Sequence, residues 1–459
     1  MEFNCIKNTP LFNAYSELGR RLFLPQGIFY WSGRAKKEAE LIGTIGSAYG
    51  FEKDFIDGGN PEWLPCYLDE LSEYFGISVN GIVPYASIGG LDELRQIWKD
   101  WIIRKANYDE NKDKNLLRRL NKYITLPIVT AGVTNGIYHS SALFLNSGEF
   151  IIAPNKRWGN YDNIIEKNIG ARIRSFEFFS GQNFNLNSLD DALKDVAKSQ
   201  EKIVIVLNFP NNPTGYVPTK EESYKIVSLL QERQRSLKKP IFVIVDDAYE
   251  PYVYSSEASN RSIFYDLHQL DENVIPIKLD GVTKELLMYG ARIGFLTFGL
   301  KPSWTKNDEE LDNLKTEINN KSEGLNRATI SSCNHFYQSI TQKMFKERGI
   351  EKFLSSRKNV YNLLKNRYKK INMELSKIED PNISVDPNSG GFFLFLNLNP
   401  KKINATQFGE HLLQKYKVGV IPLDKPNENI NGIRIAYCSI DFKDIPEVVK
   451  RINLALNDF

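Results

Sequence analysis

Short apolar runs recur along the first 300 residues of the chain, and most are separated by segments long enough for a helix. The runs are rich in valine, isoleucine and phenylalanine, which favour strands. Strands that alternate with helical segments are typical of a parallel sheet with helices on its faces. The pattern therefore predicts an α/β fold whose large domain holds a mostly parallel seven-stranded sheet. The predicted strands are 124–129, 150–153, 172–178, 203–208, 242–246, 274–279 and 294–298.

A second, smaller α+β domain is predicted towards the end of the chain. The 459 residues exceed the roughly 250–300 that a single core usually holds. The charged stretch 306–321 has helical spacing and is predicted to lead into this domain, whereas the polar stretch 104–122 is predicted to be an exposed insertion or a helix connection. Apolar runs that suit its strands lie at 384–398, 418–423 and 433–437. The predicted domains are an N-terminal segment 1–50 that packs with the small domain, a large cofactor-binding domain 51–325 and a small domain 326–459.

Composition and charge narrow the class of protein. The net charge is only +3 and no long block of like charge occurs, so no nucleic-acid partner is predicted. The sequence holds no apolar stretch near ~20 residues and no charged-then-apolar leader, so neither a membrane span nor a signal peptide is predicted. Cys5, Cys66, Cys333 and Cys438 are scattered without a CxxC motif, which favours the cytoplasm, and no metal site is predicted.

Polar clusters follow three of the predicted strands. Asn208 to Gly215 follows one apolar run, Asp246 to Tyr249 follows the next, and Lys284 follows the third. In an open parallel sheet the carboxyl ends of the strands meet at one edge, where ligands bind and helix amino termini point. These clusters are therefore predicted to form one site.

Lys284 and Arg292 lie eight residues apart and suggest the chemistry of that site. An amine at the end of a buried strand can condense with an aldehyde, and a nearby guanidinium can grip a phosphate in bidentate fashion. The cofactor that needs both is pyridoxal phosphate. The spacing alone would be weak evidence in a chain with 59 Lys and Arg residues, so the prediction depends on the neighbouring clusters.

From about residue 25 to 434, the order and content of these motifs resemble the class I/II aminotransferases. These are fold type I pyridoxal phosphate enzymes similar to aspartate aminotransferase. The resemblance implies that Lys284 forms a Schiff base with the cofactor and that Arg292 binds its phosphate. It also implies that Asp246 pairs with the protonated pyridine nitrogen, while Asn212 and Tyr249 hydrogen bond to the ring oxygen.

The same resemblance implies a glycine-rich phosphate cradle at Gly132, Val133 and Thr134, ahead of a predicted helix. One position departs from the family. Where members often carry a serine three residues before the lysine, this chain has Gly281, which cannot donate a hydroxyl. The phosphate is therefore expected to rest on Arg292, Thr134, backbone NH groups and Thr283, with help from a second subunit.

That help is expected from Tyr85, which matches a tyrosine that reaches the phosphate of the neighbouring subunit. The resemblance thus implies a homodimer with shared active sites. Trp158 falls where the family stacks an aromatic ring on the cofactor, and the alternative is an ordinary core tryptophan.

Substrate contacts are implied at Arg434, which would bind the α-carboxylate. An edge-strand arginine turned to water is the alternative for this residue. Asn212 and Gly27 are also expected to contact substrate. The aromatic run Phe29, Tyr30 and Trp31 either walls the pocket or packs in the interior.

The predicted activity is transfer of an amino group from an L-amino acid to a 2-oxo acid, with 2-oxoglutarate as the expected acceptor. An α,β-eliminating lyase or a decarboxylase of the same fold would use nearly the same residues and remains the alternative. An oxoamine synthase is disfavoured because that group stacks a histidine where Trp158 falls. A cofactor-sensing regulator is disfavoured because fewer than 30 residues precede the matching region.

Overall fold

A seven-stranded sheet forms the centre of the computed structural model, which describes residues 6, 9–23, 27–106 and 114–459. In spatial order the strands are β1–β7–β6–β5–β4–β2–β3. Only β7 runs antiparallel to its neighbours, so the predicted mostly parallel α/β sheet is confirmed. The strands are β1 Ile128–Thr130, β2 Phe150–Pro154, β3 Arg172–Phe176, β4 Ile203–Asn208, β5 Ile241–Asp246, β6 Val274–Gly281 and β7 Gly294–Phe298.

Both faces of the sheet are covered by helices, which explains why its central strands read as unbroken apolar runs. Along β4, Ile203, Ile205 and Leu207 face one apolar cluster, while Val204 and Val206 face another. The α-helices of seven or more residues in the described part of the chain are α1 Ile28–Glu38, α2 Asp92–Lys105, α3 Lys114–Tyr123, α4 Val133–Phe144, α5 Leu186–Ala197, α6 Lys220–Leu237, α7 Ile263–Gln269, α8 Asp308–Thr329, α9 His335–Leu375, α10 Ala405–Tyr416 and α11 Ile445–Leu456. A kink at Gly349 divides α9 into two helical parts.

An antiparallel four-stranded sheet lies in the C-terminal part, in the order β8–β9–β11–β10. Its strands are β8 Ile383–Val385, β9 Leu394–Leu398, β10 Ile421–Lys425 and β11 Ile430–Ile435. The N-terminal segment joins this part of the chain, since Leu41–Ile42 pairs in parallel with Val418–Gly419.

Several sequence expectations can be compared with these elements. The charged stretch 306–321 lies largely in α8. Within 104–122, α3 buries Leu116 and Leu120, so this helix is anchored in the interior rather than simply exposed, and 107–113 lies outside the described residues. No helix in the described part of the chain has the length and apolar character needed to cross a bilayer.

A cluster of buried charges ties α2 to the end of the central sheet. The Lys105 ammonium donates to Glu250 Oε2 at 2.7 Å, to Asp280 Oδ2 at 3.1 Å and to Glu285 Oε2 at 3.1 Å. Although burial disfavours its charge, the three carboxylates raise the pKa of Lys105 well above its usual value. Lys278 on β6 donates to the same Glu250 oxygen at 2.9 Å.

Two tryptophans of α2 complete these contacts. Trp98 donates its Nε1 hydrogen to Asp280 Oδ1 at 2.8 Å, and Trp101 donates to Glu285 Oε1 at 2.7 Å. Each buried carboxylate therefore has more than one donor, as burial of charge requires. The cluster fixes the chain on both sides of residue 284.

Replacement of Lys105 by methionine should strongly destabilise the fold. Removing one partner of a buried ion cluster leaves carboxylates uncompensated, which typically costs about 3–5 kcal/mol. The free energy of unfolding in denaturant measures the loss. Lys122→Met is the control, because the Lys122–Asp308 pair is exposed and should contribute little. Equal stability of the two variants would contradict a structural role for the Lys105 cluster.

Candidate active site

A cavity of about 360 Å³ opens at the carboxyl edge of the central sheet, between that sheet and the C-terminal part. Its volume is in the range of small-molecule sites. Most of the predicted site residues line it, namely Val133, Thr134, Trp158, Asn212, Asp246, Tyr249, Thr283, Lys284, Arg292 and Arg434. The tertiary structure thus brings together residues spread over 300 positions of the sequence.

Lys284 follows β6 in a short helical turn, Val282–Glu285. Its ammonium donates to the carbonyl oxygen of Gly46 and lies 4.8 Å from the ring centre of Tyr289 and 5.7 Å from that of Tyr249. Burial lowers the pKa of Lys284 to about 8, and Arg292 and Arg434 act in the same direction. A fraction of this side chain is therefore neutral near pH 7, which is the nucleophilic form.

Asp246 ends β5 and is buried. Its Oδ2 accepts a hydrogen bond from the Tyr161 hydroxyl at 2.6 Å, and its Oδ1 accepts one from the Ala248 NH at 3.2 Å. Burial raises the pKa of Asp246 to about 6, against the effect of the Tyr161 hydrogen bond. A carboxylate held in this way can pair with a cationic ring nitrogen.

Arg292 meets the amino terminus of α4 at Gly132. Gly132 has a φ of +80°, and a Cβ there would lie 2.6 Å from Arg292 Nη2. Val133 and Thr134 form the first turn of the helix beside it. A helix amino terminus with a guanidinium alongside is suited to a phosphate group.

Gly281 stands where the resemblance led us to expect a serine, and packing explains the glycine. A Cβ at 281 would lie 2.7 Å from Ile293 O and 2.8 Å from Gly294 Cα. A Cβ at 294 would in turn lie 2.5 Å from the carbonyl carbon of Gly132. Gly281, Gly294 and Gly132 thus form a close-packed glycine stack, which leaves no room for a side chain at 281.

Arg434 lies on β11, a central strand of the small sheet, and is only 3% exposed. Its Nη1 donates to Asn212 Oδ1 at 3.2 Å and its Nη2 to Thr44 O at 2.9 Å, while its Nε is buried without a partner. The guanidinium lies 4.3 Å from the Phe393 ring centre. Burial lowers the pKa of Arg434 to about 10, which leaves it cationic at neutral pH. The alternative of an edge residue turned to water is wrong.

Trp158 is half-buried and lines the cavity, with its ring edge-on to Tyr161 at 5.7 Å between centres. The sequence analysis did not identify Tyr161, which lies three residues after Trp158. Asn208 begins the predicted cluster Asn208 to Gly215 but had no predicted role of its own. It connects Asn212 to β5, because its Oδ1 accepts from the Asn212 NH at 2.9 Å and its Nδ2 donates to Asp246 O at 2.8 Å.

Not every predicted contact lies at the cavity wall. Tyr85 is 93% exposed and does not line the cavity, and Gly27 caps α1 just before the lining residue Ile28. Of the aromatic run, Phe29 lines the cavity, whereas Trp31 packs against Leu413 and Ile421. Gly46, Ser47 and Phe393 also line it and were not predicted, whereas the lining residue Ala248 lies within the predicted cluster Asp246 to Tyr249.

The chain is similar to known proteins over most of its length. The family model described as aminotransferase class I and II matches residues 106–452. An aspartate aminotransferase from Bacillus sp. (strain YM-2) is 27% identical over 433 residues, which cover 92% of this chain and 94% of that protein.

Solved structures show the same fold. An aminotransferase from Anaerococcus prevotii has a TM-score of 0.78 with 22% identity and covers 95% of this chain and 98% of its own. A kynurenine aminotransferase from Pyrococcus horikoshii, solved in complex with PMP, has a TM-score of 0.74 with 16% identity and covers 98% of each chain.

Gly281→Ser should be poorly tolerated even though it restores the residue expected from the resemblance. Its Cβ would overlap backbone atoms that cannot rotate away, and overpacking of this kind costs about 1–3 kcal/mol. Unfolding free energy and cofactor affinity should both fall. Gly290→Ser is the matched control, because a Cβ there has open space. A Gly281→Ser variant as stable as this control would disprove the packing explanation.

Proposed function

The chain belongs to the class I and II aminotransferases and uses pyridoxal phosphate, and from this we propose that Lys284 holds the cofactor while an amino group moves from an L-amino acid to a 2-oxo acid. The observation that carries the proposal is the convergence of Lys284, Asp246, Arg292 and Arg434 on one cavity. Each of these groups answers one chemical need of the reaction.

Two features of the cavity suit the cofactor and its substrate. A Cβ at Gly132 would clash with Arg292 Nη2, so the glycine lets the guanidinium lie against the amino terminus of α4, an arrangement that fits a phosphate cradle. The buried Nε of Arg434 lacks a partner, which fits a carboxylate still to be bound. When bound, pyridoxal phosphate supplies an aldehyde carbon and an electron-accepting ring.

The chain's own residues then position the reactants and move protons. Arg292, the first turn of α4 and Thr283 would hold the phosphate end, and the Asp246 carboxylate would pair with the protonated pyridine nitrogen. Asn212 and Tyr249 would hydrogen bond to the ring oxygen, and Trp158 would lie against the ring. Lys284 would hold the cofactor through its aldehyde carbon, and its neutral Nζ would serve as the base for the proton on the substrate's α-carbon.

Arg434 orients the amino acid by its α-carboxylate. Its planar fork is already held by Asn212 and Thr44, so little conformational entropy is lost when a carboxylate binds. Gly27, which caps α1 next to the lining residue Ile28, would contact the substrate. Any 2-oxo acid can bind Arg434 in the same way through its carboxylate, and we propose 2-oxoglutarate as the acceptor.

The alternative of an α,β-eliminating lyase or decarboxylase makes a different product. Release of ammonia or carbon dioxide without a 2-oxo acid acceptor would favour it, whereas a strict requirement for an acceptor supports transamination.

Lys284→Ala should reduce turnover by at least ~10²–10⁴-fold, the usual contribution of a positioned acid–base group. The variant should also lose borohydride-stable attachment of the cofactor. Attachment to the wild-type apoprotein should accelerate with rising pH through about 8, because the neutral amine is the reactive form. Lys402→Ala, at an exposed turn, is the control and should behave as wild type. Full activity of Lys284→Ala would exclude the assigned role.

We further propose a homodimer in which Tyr85 reaches the partner's phosphate site. Support comes from a run of exposed large apolar residues around it, since such patches mark protein contacts. These residues are Phe75, Val79, Ile82, Val83 and Ile88.

Tyr85→Phe should weaken cofactor binding roughly ten- to hundredfold, since a hydrogen bond to a charged group contributes about 1.5–3 kcal/mol. Tyr224→Phe, at another exposed tyrosine, is the control. A heterodimer of one Tyr85→Phe and one Lys284→Ala subunit decides whether sites are shared. Shared sites give one site of wild-type affinity per heterodimer, and unshared sites give none.

Domain boundaries at 1–50, 51–325 and 326–459 are also proposed. The pairing of Leu41–Ile42 with Val418–Gly419 supports the packing of the N-terminal segment with the small domain. Limited proteolysis that cuts first inside 51–325 would count against these boundaries.

We propose that the enzyme acts in the cytoplasm. Cys66, Cys333 and Cys438 are buried free thiols, as a reducing compartment allows. Fractionation of cells that finds the protein elsewhere would refute this.

A further inference from the structure

A buried ion pair joins the segment that carries Trp158 to the C-terminal sheet. Lys156, two residues before Trp158, donates through Nζ to the two carboxylate oxygens of Asp386 at 2.8 and 2.7 Å. The same ammonium donates to Asn397 Oδ1 at 2.7 Å. Lys156 is 9% exposed and Asp386 is 6% exposed, so salt and water screen the pair little.

The partners of Lys156 lie beside the strand that carries Arg434. Asn397 belongs to β9 and lies opposite Gly432 of β11. Phe395, on the same strand, lies opposite Arg434, and its ring centre is 5.0 Å from the Lys156 ammonium. Side chains two residues apart on a strand share a face, so Phe395 and Asn397 lie on the face of Arg434. The position of Lys156 against β9 therefore sets its position against Arg434.

The backbone of Lys156 is joined to residues at the cofactor end of the cavity. Its carbonyl oxygen accepts a hydrogen bond from Asn211 Nδ2 at 3.4 Å. The next residue, Asn212, lines the cavity together with Trp158. Lys156 thus lies between residues proposed to contact the cofactor ring and the pair of strands that presents Arg434.

A second group of charges crosses the same boundary. Arg157 donates to Asp162 Oδ1 at 2.7 Å and pairs with Glu428 Oε1 at 2.8 Å. Lys425, at the end of β10, donates to Asp162 Oδ2 at 2.6 Å. The side chains of Asp162 and Glu428 are 21% and 18% exposed, against 6% for Asp386. The Lys156 pair therefore holds the most deeply buried carboxylate of this boundary.

We infer that Lys156 is a positioning residue for the proposed transamination, on which this inference rests. A buried ion pair is costly to separate, so it favours one arrangement of the segments that carry it. Here that arrangement holds Arg434 in register with Trp158 and Lys284. An amino acid bound by its α-carboxylate then presents its α-carbon to the lysine. Lys156 does not line the cavity and acts through its contacts with Asp386 and β9.

Lys156→Met keeps the length of the side chain and removes its charge. L-Glutamate, the amino acid formed from the proposed acceptor, is supplied to the holoenzyme, and single-turnover conversion of the cofactor gives a donor dissociation constant and a maximal rate. We expect the dissociation constant to rise at least ~10-fold, within the ~10²-fold cost that a misplacement of about 1 Å can have. An unchanged dissociation constant would overturn the inference.

Lys156→Arg tests rescue by a conservative change. Its guanidinium can still pair with the Asp386 carboxylate, so donor affinity should stay close to that of the wild type. Lys202→Met is the matched control. Lys202 Nζ donates to the two oxygens of Glu149 at 2.7 and 2.8 Å, but this pair lies at the amino ends of β2 and β4, away from the cavity. Donor affinity that falls equally in Lys202→Met would count against a specific role for Lys156.

A double variant separates position from stability. Lys156→Met leaves the Asp386 carboxylate buried without its cation, whereas adding Asp386→Asn removes both charges and keeps an acceptor for Asn397 Nδ2. The double variant should recover the free energy of unfolding lost in the single variant, because no uncompensated charge remains buried. It should not recover donor affinity. Recovery of both would show that the pair serves stability alone.

Backbone hydrogen exchange tests the inference without turnover. In Lys156→Met, the amides of 394–398 and 430–435 should exchange at least ~10-fold faster than in the wild type, since local opening becomes easier where a tie is lost. The amides of 203–208 and 241–246 should exchange as in the wild type. Equal acceleration in all four strands, or none, would overturn the inference.

The outcomes distinguish this inference from the proposed function. If the wild-type holoenzyme does not convert its cofactor with glutamate, the proposed acceptor is wrong, and hydrogen exchange still decides whether Lys156 holds β9 and β11 in place. If the wild type reacts and Lys156→Met binds glutamate equally well, the proposed function stands and the positioning role is wrong.

Discussion

Charged groups are buried at the carboxyl edge of the central sheet, and the cost of removing them from water constrains much of the surrounding structure. The Lys105 ammonium is bound by Glu250, Asp280 and Glu285, and these residues come from the loops and strands that also carry Asp246 and Lys284. Because an uncompensated buried charge is so unfavourable, displacing any one of these segments from the cluster would be costly. The cluster therefore holds the two reactive groups of the cavity in register.

Burial acts on the reactive groups themselves in opposite directions. It lowers the pKa of Lys284 to about 8 and raises that of Asp246 to about 6, because burial disfavours the charged form of each side chain. Perturbation of this kind, in a cleft and with identified partners, is typical of functional sites. The hydrogen bond from the Tyr161 hydroxyl keeps the pKa of Asp246 from rising further, and the Lys284 ammonium donates to the Gly46 carbonyl at the cavity wall.

Close backbone packing determines how the phosphate end of the cavity is built. The glycine stack of Gly281, Gly294 and Gly132 brings β6, β7 and the start of α4 nearer than side chains would permit. This contact brings Arg292 against the helix amino terminus and excludes a serine hydroxyl at 281. A guanidinium and backbone NH groups can then take the place of that hydroxyl in the proposed phosphate site.

The amino-acid sequence by itself determined the strands, their alternation with helices and the clusters at strand ends, because these depend on local periodicity and turn chemistry. It placed Asp246 and Lys284 at one sheet edge for the same reason. Only the tertiary structure decided that Tyr161 binds Asp246 across 85 positions and that Arg434 binds Thr44 across 390. Such contacts depend on strand order and on the packing of distant segments, which no local pattern records. The lack of space at Gly281 depends on such packing as well.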